Sequence, residues 1–398
     1  MKKLIFNLLI LSLCSSLFAK VKISYDSKVA VKDTGKVEFH DMNAIEIVEK
    51  METGWNLGNT LDATGGRTLA SETSWGMPKT TKEIIDGVAA AGFKTIRIPV
   101  SWQKHIIDGN FTIDPAWMSR VKEVVDWAIG AGMYVILNVH HDNSMPPMNG
   151  VIQGYYPDSK SSVESEKYIA NIWSQIALAF NNGYDEHLVF ETLNEPRLRG
   201  TDQEWSFTNG SALCLEAAAA INAMNQTALD VIRKSGGNNA KRFVMFPGYA
   251  ATPAAVLSDS FVIPKDKVPG HILISVHMYT PFMFAGQSPG SKVFLPKMQN
   301  DLVNQFKKLN EKFVANGYGV VIGEYGAVNK DNLEERVKYF DTYIKFAKKY
   351  GLAACLWDNG KWKIKDDDYS ERFGYYDRRE RVWVFPEIVE AIMNNFTE

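Results

Sequence analysis

The chain alternates between two hydrophobic rhythms. Short, nearly continuous apolar runs occur at 53–58, 95–100, 133–140, 188–194, 242–247, 272–279, 319–324 and 351–357. Such runs read as strands buried on both faces, the pattern of a parallel sheet. Between them, apolar residues recur at helical spacing: Ile169, Ile172, Trp173, Ile176 and Phe180 form one stripe, and Leu333, Val337, Phe340, Ile344 and Ala347 another. Gly92, Gly132, Gly317 and Gly351 stand just ahead of strands, where a helix commonly ends in a left-handed residue. Eight such alternations predict an α/β fold, a (β/α)8 TIM barrel. The longer polar stretches, at about 142–162, 197–212, 280–295 and 360–384, all follow strands, where such a barrel builds its site. Ahead of the first strand, residues 20 to about 40 form an extended lead-in. Asp41 is then the expected N-cap of a short helix through Ile45, Val48 and Met51.

The extreme N-terminus follows a different pattern. Lys2 and Lys3 precede the apolar run Leu4 to Leu13, and small residues follow up to Ala19. Residues 1–19 are therefore expected to be a signal peptide, with 20–398 a single catalytic domain exported to the periplasm, the cell surface or the medium. The apolar run is too short for a membrane span. Lys+Arg is 44 against Asp+Glu 46, so no strong field favours nucleic acid or acidic membranes. Beyond the signal segment only Cys214 and Cys355 remain, and both read as buried thiols. No CxxC or HExxH pattern supports a metal site.

Chemistry concentrates where the strands end. The first is followed by Asn59 and Asp62, the second carries Arg97, and the third ends in His140-His141. The fourth leads to Asn194-Glu195, the sixth to His277 and Tyr279, the seventh to Glu324 and the eighth to Trp357. The fifth ends in the less informative Pro247-Gly248-Tyr249. Any one of these residues has a structural explanation, but a barrel gathers them on one face. Strand alternation would aim His140 and His141 to opposite sides, which argues against a metal pair. Two carboxylates from strands four and seven suit glycoside hydrolysis, in which one protonates the leaving oxygen and the other attacks the sugar carbon. Arg97 is expected to keep Glu324 ionised, within reach of Tyr279, while the less compensated Glu195 holds its proton longer. Asn194 would meet the sugar 2-hydroxyl, and Trp357 would stack on the ring. Among Trp75, Trp102, Trp205 and Trp362, the last is the strongest candidate for a further sugar platform; Trp117, Trp127 and Trp173 read as helix packing. Asp366-Asp367-Asp368 reads as a solvated run rather than a calcium site.

The runs Gly54 to Asp62, Ile96 to Val100, Asn138 to His141, Leu193 to Pro196, His277 to Tyr279 and Gly323 to Gly326, in this order, resemble glycoside hydrolase family 5. The resemblance extends from about Phe39 to Ile392 and is strongest to the broad-specificity endoglucanase branch. It implies a (β/α)8 barrel performing retaining hydrolysis of β-glycans with no cofactor. Position by position it implies that Glu195 is the acid/base and Glu324 the nucleophile. Arg97, His140, Asn194, His277, Tyr279 and Trp357 complete the implied catalytic set, and Asn59, Asp62 and His141 match the glycone side. The expected activity is that of an endo-β-1,4-glucanase on cellulose-like chains or a related plant cell-wall polysaccharide; xyloglucan, mixed-linkage β-glucan, xylan and mannan remain open. A non-catalytic glycan-binding barrel is disfavoured because both glutamates are present. A barrel acting on phosphorylated metabolites lacks its Gly-rich phosphate loop after strands seven and eight.

Overall fold

A computed structural model describes residues 21–149, 151–363 and 372–397. The expected signal segment and the Asp366–Asp368 run lie outside the described residues. Eight parallel strands follow one another in sequence order and close on themselves: β1 (Thr53–Asn56), β2 (Thr95–Ile98), β3 (Tyr134–Asn138), β4 (Leu188–Glu191), β5 (Val244–Pro247), β6 (Ile272–His277), β7 (Gly319–Tyr325) and β8 (Leu352–Leu356). Trp55 of β1 pairs with Leu356 of β8, which seals the barrel. The (β/α)8 barrel expected from the hydrophobic rhythm is the observed fold. Most of the strands stop short of the apolar runs that signalled them. β4 loses its partner after Glu191 pairs with Met245, so Asn194 and Glu195 stand on the loop beyond the ladder.

A helix follows each strand, from Lys82–Ala90 after β1 to Pro386–Met393 after β8; the crossover after β5 is reduced to Pro253–Leu257. The stripe Ile169, Ile172, Trp173, Ile176 and Phe180 is wholly buried against the sheet. Gly92, Gly132, Gly317 and Gly351 all have positive φ, the conformation that ends a helix at little steric cost.

The barrel is filled in two layers of opposite character. Its lower end is apolar: Ile136, Val189, Met245, Leu273, Val321, Ala353 and Cys355 point inward and are covered by Ala44, Ile47, Val48 and Met51 of helix Ala44–Met51. That helix plugs the open end of the sheet, which would otherwise expose the layer to water. Its N-cap is Asn43, not Asp41. The Asn43 side chain accepts from the backbone of Ile45 and Glu46, and Glu46 Oε2 accepts from the Asn43 N–H at 2.7 Å, completing a capping box. Asp41 instead pairs with Lys241 at the surface. Cys214 and Cys355 are both buried and unbridged. Among the described residues no helix is long and apolar enough to cross a membrane.

Replacing Asn43 by Ala removes the cap of the plug helix and should lower unfolding free energy by about 1 kcal/mol. Urea titration would show this as a lower midpoint with an unchanged slope.

Candidate active site

Towards the carboxyl ends of the strands the barrel interior turns polar. Asn56, Arg97, Asn138, Glu191, Ser275 and His277 are all buried there. Arg97 is the centre of this layer. Its Nε donates to Glu191 Oε2 at 2.8 Å, and Nη1 donates to Asn56 Oδ1 at 2.9 Å and Glu324 Oε1 at 2.8 Å. Nη2 donates to Asn194 Oδ1 at 2.6 Å and lies 3.4 Å from His277 Nε2. Glu191 also accepts from Asn138 Nδ2 at 2.9 Å and from the Ser275 hydroxyl. Neither Glu191 nor Asn56 was singled out from the sequence. The available signal was a charged side chain inside an otherwise apolar strand, which must find a partner if it is buried.

Above this layer the two candidate acids face each other. His277 Nδ1 is hydrogen-bonded to Glu195 Oε1 at 2.9 Å and lies 3.5 Å from Glu324 Oε2. One oxygen of Glu195, one of Glu324 and a His277 ring nitrogen all fall within 4.8 Å of one another. Tyr279 donates its hydroxyl to Glu324 Oε2 at 3.0 Å. With Arg97 on the other oxygen, both lone-pair faces of that carboxylate are fixed.

The electrostatics differ from expectation. Burial pushes Glu195 towards its neutral form, but the His277 hydrogen bond and charge, with Arg197 beside it, outweigh that and bring its pKa down to about 2. Glu324 is raised above the ordinary carboxylate range: burial and the charge of Glu195 outweigh the opposing pull of His277 and Arg97. His277 would be lowered by burial, but Glu324 and Glu195 raise it. In the free cleft, therefore, Glu195 is the better compensated acid, not the less compensated one. The reason is a contact that strand order alone does not reveal, the His277 ring lying between the two carboxylates.

His140 and His141 both line the cleft, rather than pointing apart as strand alternation suggested, because they lie beyond the last residue of β3. Burial lowers His140 well below its usual range, and partial burial also lowers His141, whose side chain is 35% exposed. Two contiguous hollows, of about 690 and 850 Å³, meet at these histidines. The first is walled by Trp75, Thr64, Met145 and Arg199; the second by Asn194, Glu195, Trp205, Tyr279, Phe282, Glu324, Trp357 and Phe373. Asp62 accepts from the backbone of Asn59 and Thr60 and comes within 3.9 Å of His141 Nε2, so this pair shapes the loop beneath that histidine. Trp357 stacks parallel to His140, and a side chain at Gly58 would come within 2.9 Å of its ring.

Phe373, a residue the sequence reading passed over, lines the cleft wall with its ring edge-on to Tyr279. Trp102 is a core residue whose Nε1 donates to the Asn138 carbonyl. Trp75 and Trp205 do reach the cleft. Arg197, also missed, lies over the Trp205 ring at 3.8 Å and 3.8 Å from Glu195 Oε2. A further hollow of about 730 Å³ beside Thr252 and Thr280 has no aromatic ring on its wall.

A closed parallel barrel with two carboxylates a few ångströms apart at the carboxyl rim, in a long aromatic-walled groove, is the architecture of a glycoside hydrolase. The chain belongs to glycoside hydrolase family 5: the family profile described as cellulase (glycosyl hydrolase family 5) matches residues 61–363. It is 42% identical over 351 residues to Endoglucanase B of Ruminococcus albus, spanning 88% of this chain and 80% of that protein. Among solved structures, a GH5-4 broad specificity endoglucanase from Ruminococcus champanellensis with bound cellotriose superposes with a TM-score of 0.82 at 38% identity, covering 90% of this chain and 100% of that one. A family 5 lichenase from Caldicellulosiruptor sp. F32, in a variant bound to cellotetraose, gives 0.82 at 41% identity, covering 94% and 99%. The protein is an endo-acting glycoside hydrolase of the cellulase type.

Two outcomes follow from this geometry. Glu191→Ala would strip a buried guanidinium of one of its two carboxylates and should cost about 3–5 kcal/mol, measurable by denaturant titration. The second concerns pH. Glu195, with a folded pKa of about 2 against an ordinary 4.5, contributes stability present above about pH 4.5 and lost as pH falls towards 2. His277, raised above 6.5, contributes stability present below that value and lost as pH rises through its folded pKa. The stability difference between parent and Glu195→Gln should thus be largest between about pH 4.5 and 6.5 and shrink on both sides.

Proposed function

We propose that this chain cleaves internal β-1,4 bonds of cellulose-like glucans by double displacement, with net retention at the anomeric carbon. The observation that carries this reading is the separation within 4.8 Å of an oxygen of Glu195 from one of Glu324. Retaining enzymes place their carboxyl groups about 5–5.5 Å apart, whereas inverting ones leave about 6.5–9.5 Å for a water. Glu324 attacks the anomeric carbon while Glu195 gives its proton to the leaving oxygen as the glycosidic bond breaks. Water then attacks the glycosyl-enzyme, Glu195 takes its proton, and the bond to Glu324 is released.

The proton for the first step resides on the Glu195–His277 hydrogen bond. In the free cleft it sits towards His277; a sugar that excludes water favours the neutral pair and moves it to Glu195. Arg97 and Tyr279 hold Glu324 so that an oxygen lone pair meets the anomeric carbon, and their charge and hydrogen bond accommodate the ester that forms. Because Arg97 occupies Asn194 Oδ1, the amide Nδ2 is left to donate to the sugar 2-hydroxyl. Trp357, fixed by His140 and Gly58, supports the ring undergoing cleavage.

A groove open on both sides of the acid pair suits binding along the middle of a chain. Trp75 lines one hollow, Trp205, Phe282 and Phe373 line the other, and His141 stands where the two meet. The lichenase and the broad-specificity endoglucanase among the structural neighbours support glucans as the first substrates to test. The Lys2-Lys3 and Leu4–Leu13 pattern supports export of the enzyme.

Glu324→Gln should lose at least about a thousandfold in kcat and still bind cello-oligosaccharide; a variant retaining half its rate would remove Glu324 from this role. Glu195→Ala should spare aryl glycosides with good leaving groups far more than glucan, because only the latter needs protonation. Proton NMR of the first products should show the β anomer before mutarotation, and an initial α anomer would exclude double displacement. Reducing-sugar release across cellulose, mixed-linkage glucan, xyloglucan, xylan and mannan would rank the substrates.

A further inference from the structure

At the end of the barrel away from the cleft, the lead-in meets the turn that enters β4. His40 Nδ1 is 2.9 Å from Glu186 Oε1, and the His40 backbone N–H donates to Glu186 Oε2 at 3.0 Å. In the same turn His187 Nδ1 is 3.0 Å from Asp185 Oδ1 and 4.0 Å from Glu186 Oε1. Ligand-capable atoms of His40, Asp185 and Glu186 all fall within 4.8 Å of one another. Two imidazole nitrogens thus lie within 4.0 Å of Glu186 Oε1, with Asp185 beside them, from segments separated by about 145 positions. None of them has a part in the chemistry of the cleft.

We propose that His40, Asp185, Glu186 and His187 form a binding site for a zinc-class divalent ion. A tetrahedral zinc holds nitrogen and oxygen donors about 2.0–2.2 Å from the metal, which puts the donors about 3.3–3.6 Å from one another. His40 Nδ1 and His187 Nδ1 stand 2.9 and 4.0 Å from Glu186 Oε1, and the donors of His40, Asp185 and Glu186 lie within 4.8 Å of one another, so side-chain adjustments can reach that spacing. Two carboxylates balance the charge of the ion, and imidazole with carboxylate donors suits zinc better than calcium or magnesium.

Groups around the donors are already positioned. Glu186 Oε2 is occupied by the His40 N–H, which leaves Oε1 for a ligand; the His187 N–H donates to Asp185 Oδ1; and the His187 ring stacks on Tyr134 at 4.5 Å. The His40 side chain is 63% exposed and that of His187 33%, so an ion can enter from solvent. Glu38 adds negative charge near His40, and Lys50 is the cation facing His187. Bound here, the ion joins the lead-in to the base of the barrel and stabilises the folded chain by linkage, without touching the cleft.

The test uses the whole chain titrated with zinc chloride at pH 7.5, with calorimetry, thermal unfolding and glucanase activity followed together. One ion per chain, a saturable rise of a few degrees in Tm and unchanged activity are expected. His40→Gln keeps a hydrogen-bonding side chain in an exposed position and should weaken zinc at least tenfold. His40→Ala/His187→Ala should abolish the Tm increment while retaining activity, which reports that it folds. Cobalt(II) should give the intense visible bands of a four-coordinate site, lost in the double variant. No heat and no Tm shift would overturn the proposal. So would binding that survives the double substitution or inhibits hydrolysis, since the ion would then sit with Glu195, His277 and Glu324 or with Asp62, His140 and His141 in the cleft.

Discussion

One buried guanidinium organises the upper barrel. Arg97 lies on β2, fully out of water, yet it reaches carboxylates from β4 and β7 and amides from β1 and the loop after β4. A buried cation is tolerable only when paired and hydrogen-bonded, so each partner must occupy a defined place or the layer becomes unfavourable as a whole. That requirement turns a stability constraint into a positioning device. Glu324 is held directly, and Glu195 is held through its neighbour Asn194 and through His277.

The same network sets the charge state of the site. Three carboxylates, Glu191, Glu195 and Glu324, share a small volume with Arg97 and His277, and Arg197 approaches from the rim. Repulsion among the acids is relieved unequally because the cations sit at unequal distances. His277 bridges the two upper acids, so its charge bears on both carboxylates at once. Preorganised dipoles and charges of this kind need little rearrangement at the moment of reaction.

Loops complete the groove, but they are braced by the scaffold. The end of β5, the least informative strand end in sequence, supports the loop carrying Glu195: the Ala250 N–H donates to the Pro196 carbonyl, and Tyr249 Oη accepts from the Leu198 N–H while donating to the Gln203 carbonyl. Arg197 in that loop is stacked on Trp205 and lies 3.8 Å from Glu195, linking an aromatic ring of the cleft wall to that carboxylate. Cleft residues on loops keep fixed positions because their backbones are tied to strand ends.

Much of this was legible in the sequence because it rests on local rules. Strands buried on both faces must be apolar runs, barrel helices must carry one apolar stripe, and polar residues just past strand ends must converge on one rim. Those rules put Glu195, Glu324, Arg97, His140, Asn194, His277, Tyr279 and Trp357 at strand ends, and the resemblance to glycoside hydrolase family 5 joined them into one set. Tertiary structure decided what depends on distances between distant segments. Glu191 looked like part of an apolar strand until the fold set it against Arg97. Phe373 joined the cleft wall beside Tyr279, and His140 and His141 escaped alternation because β3 ended early. Which acid holds its proton was decided by a histidine ring between two carboxylates, and electrostatic energies that vary with every ångström cannot be read from spacing along a chain.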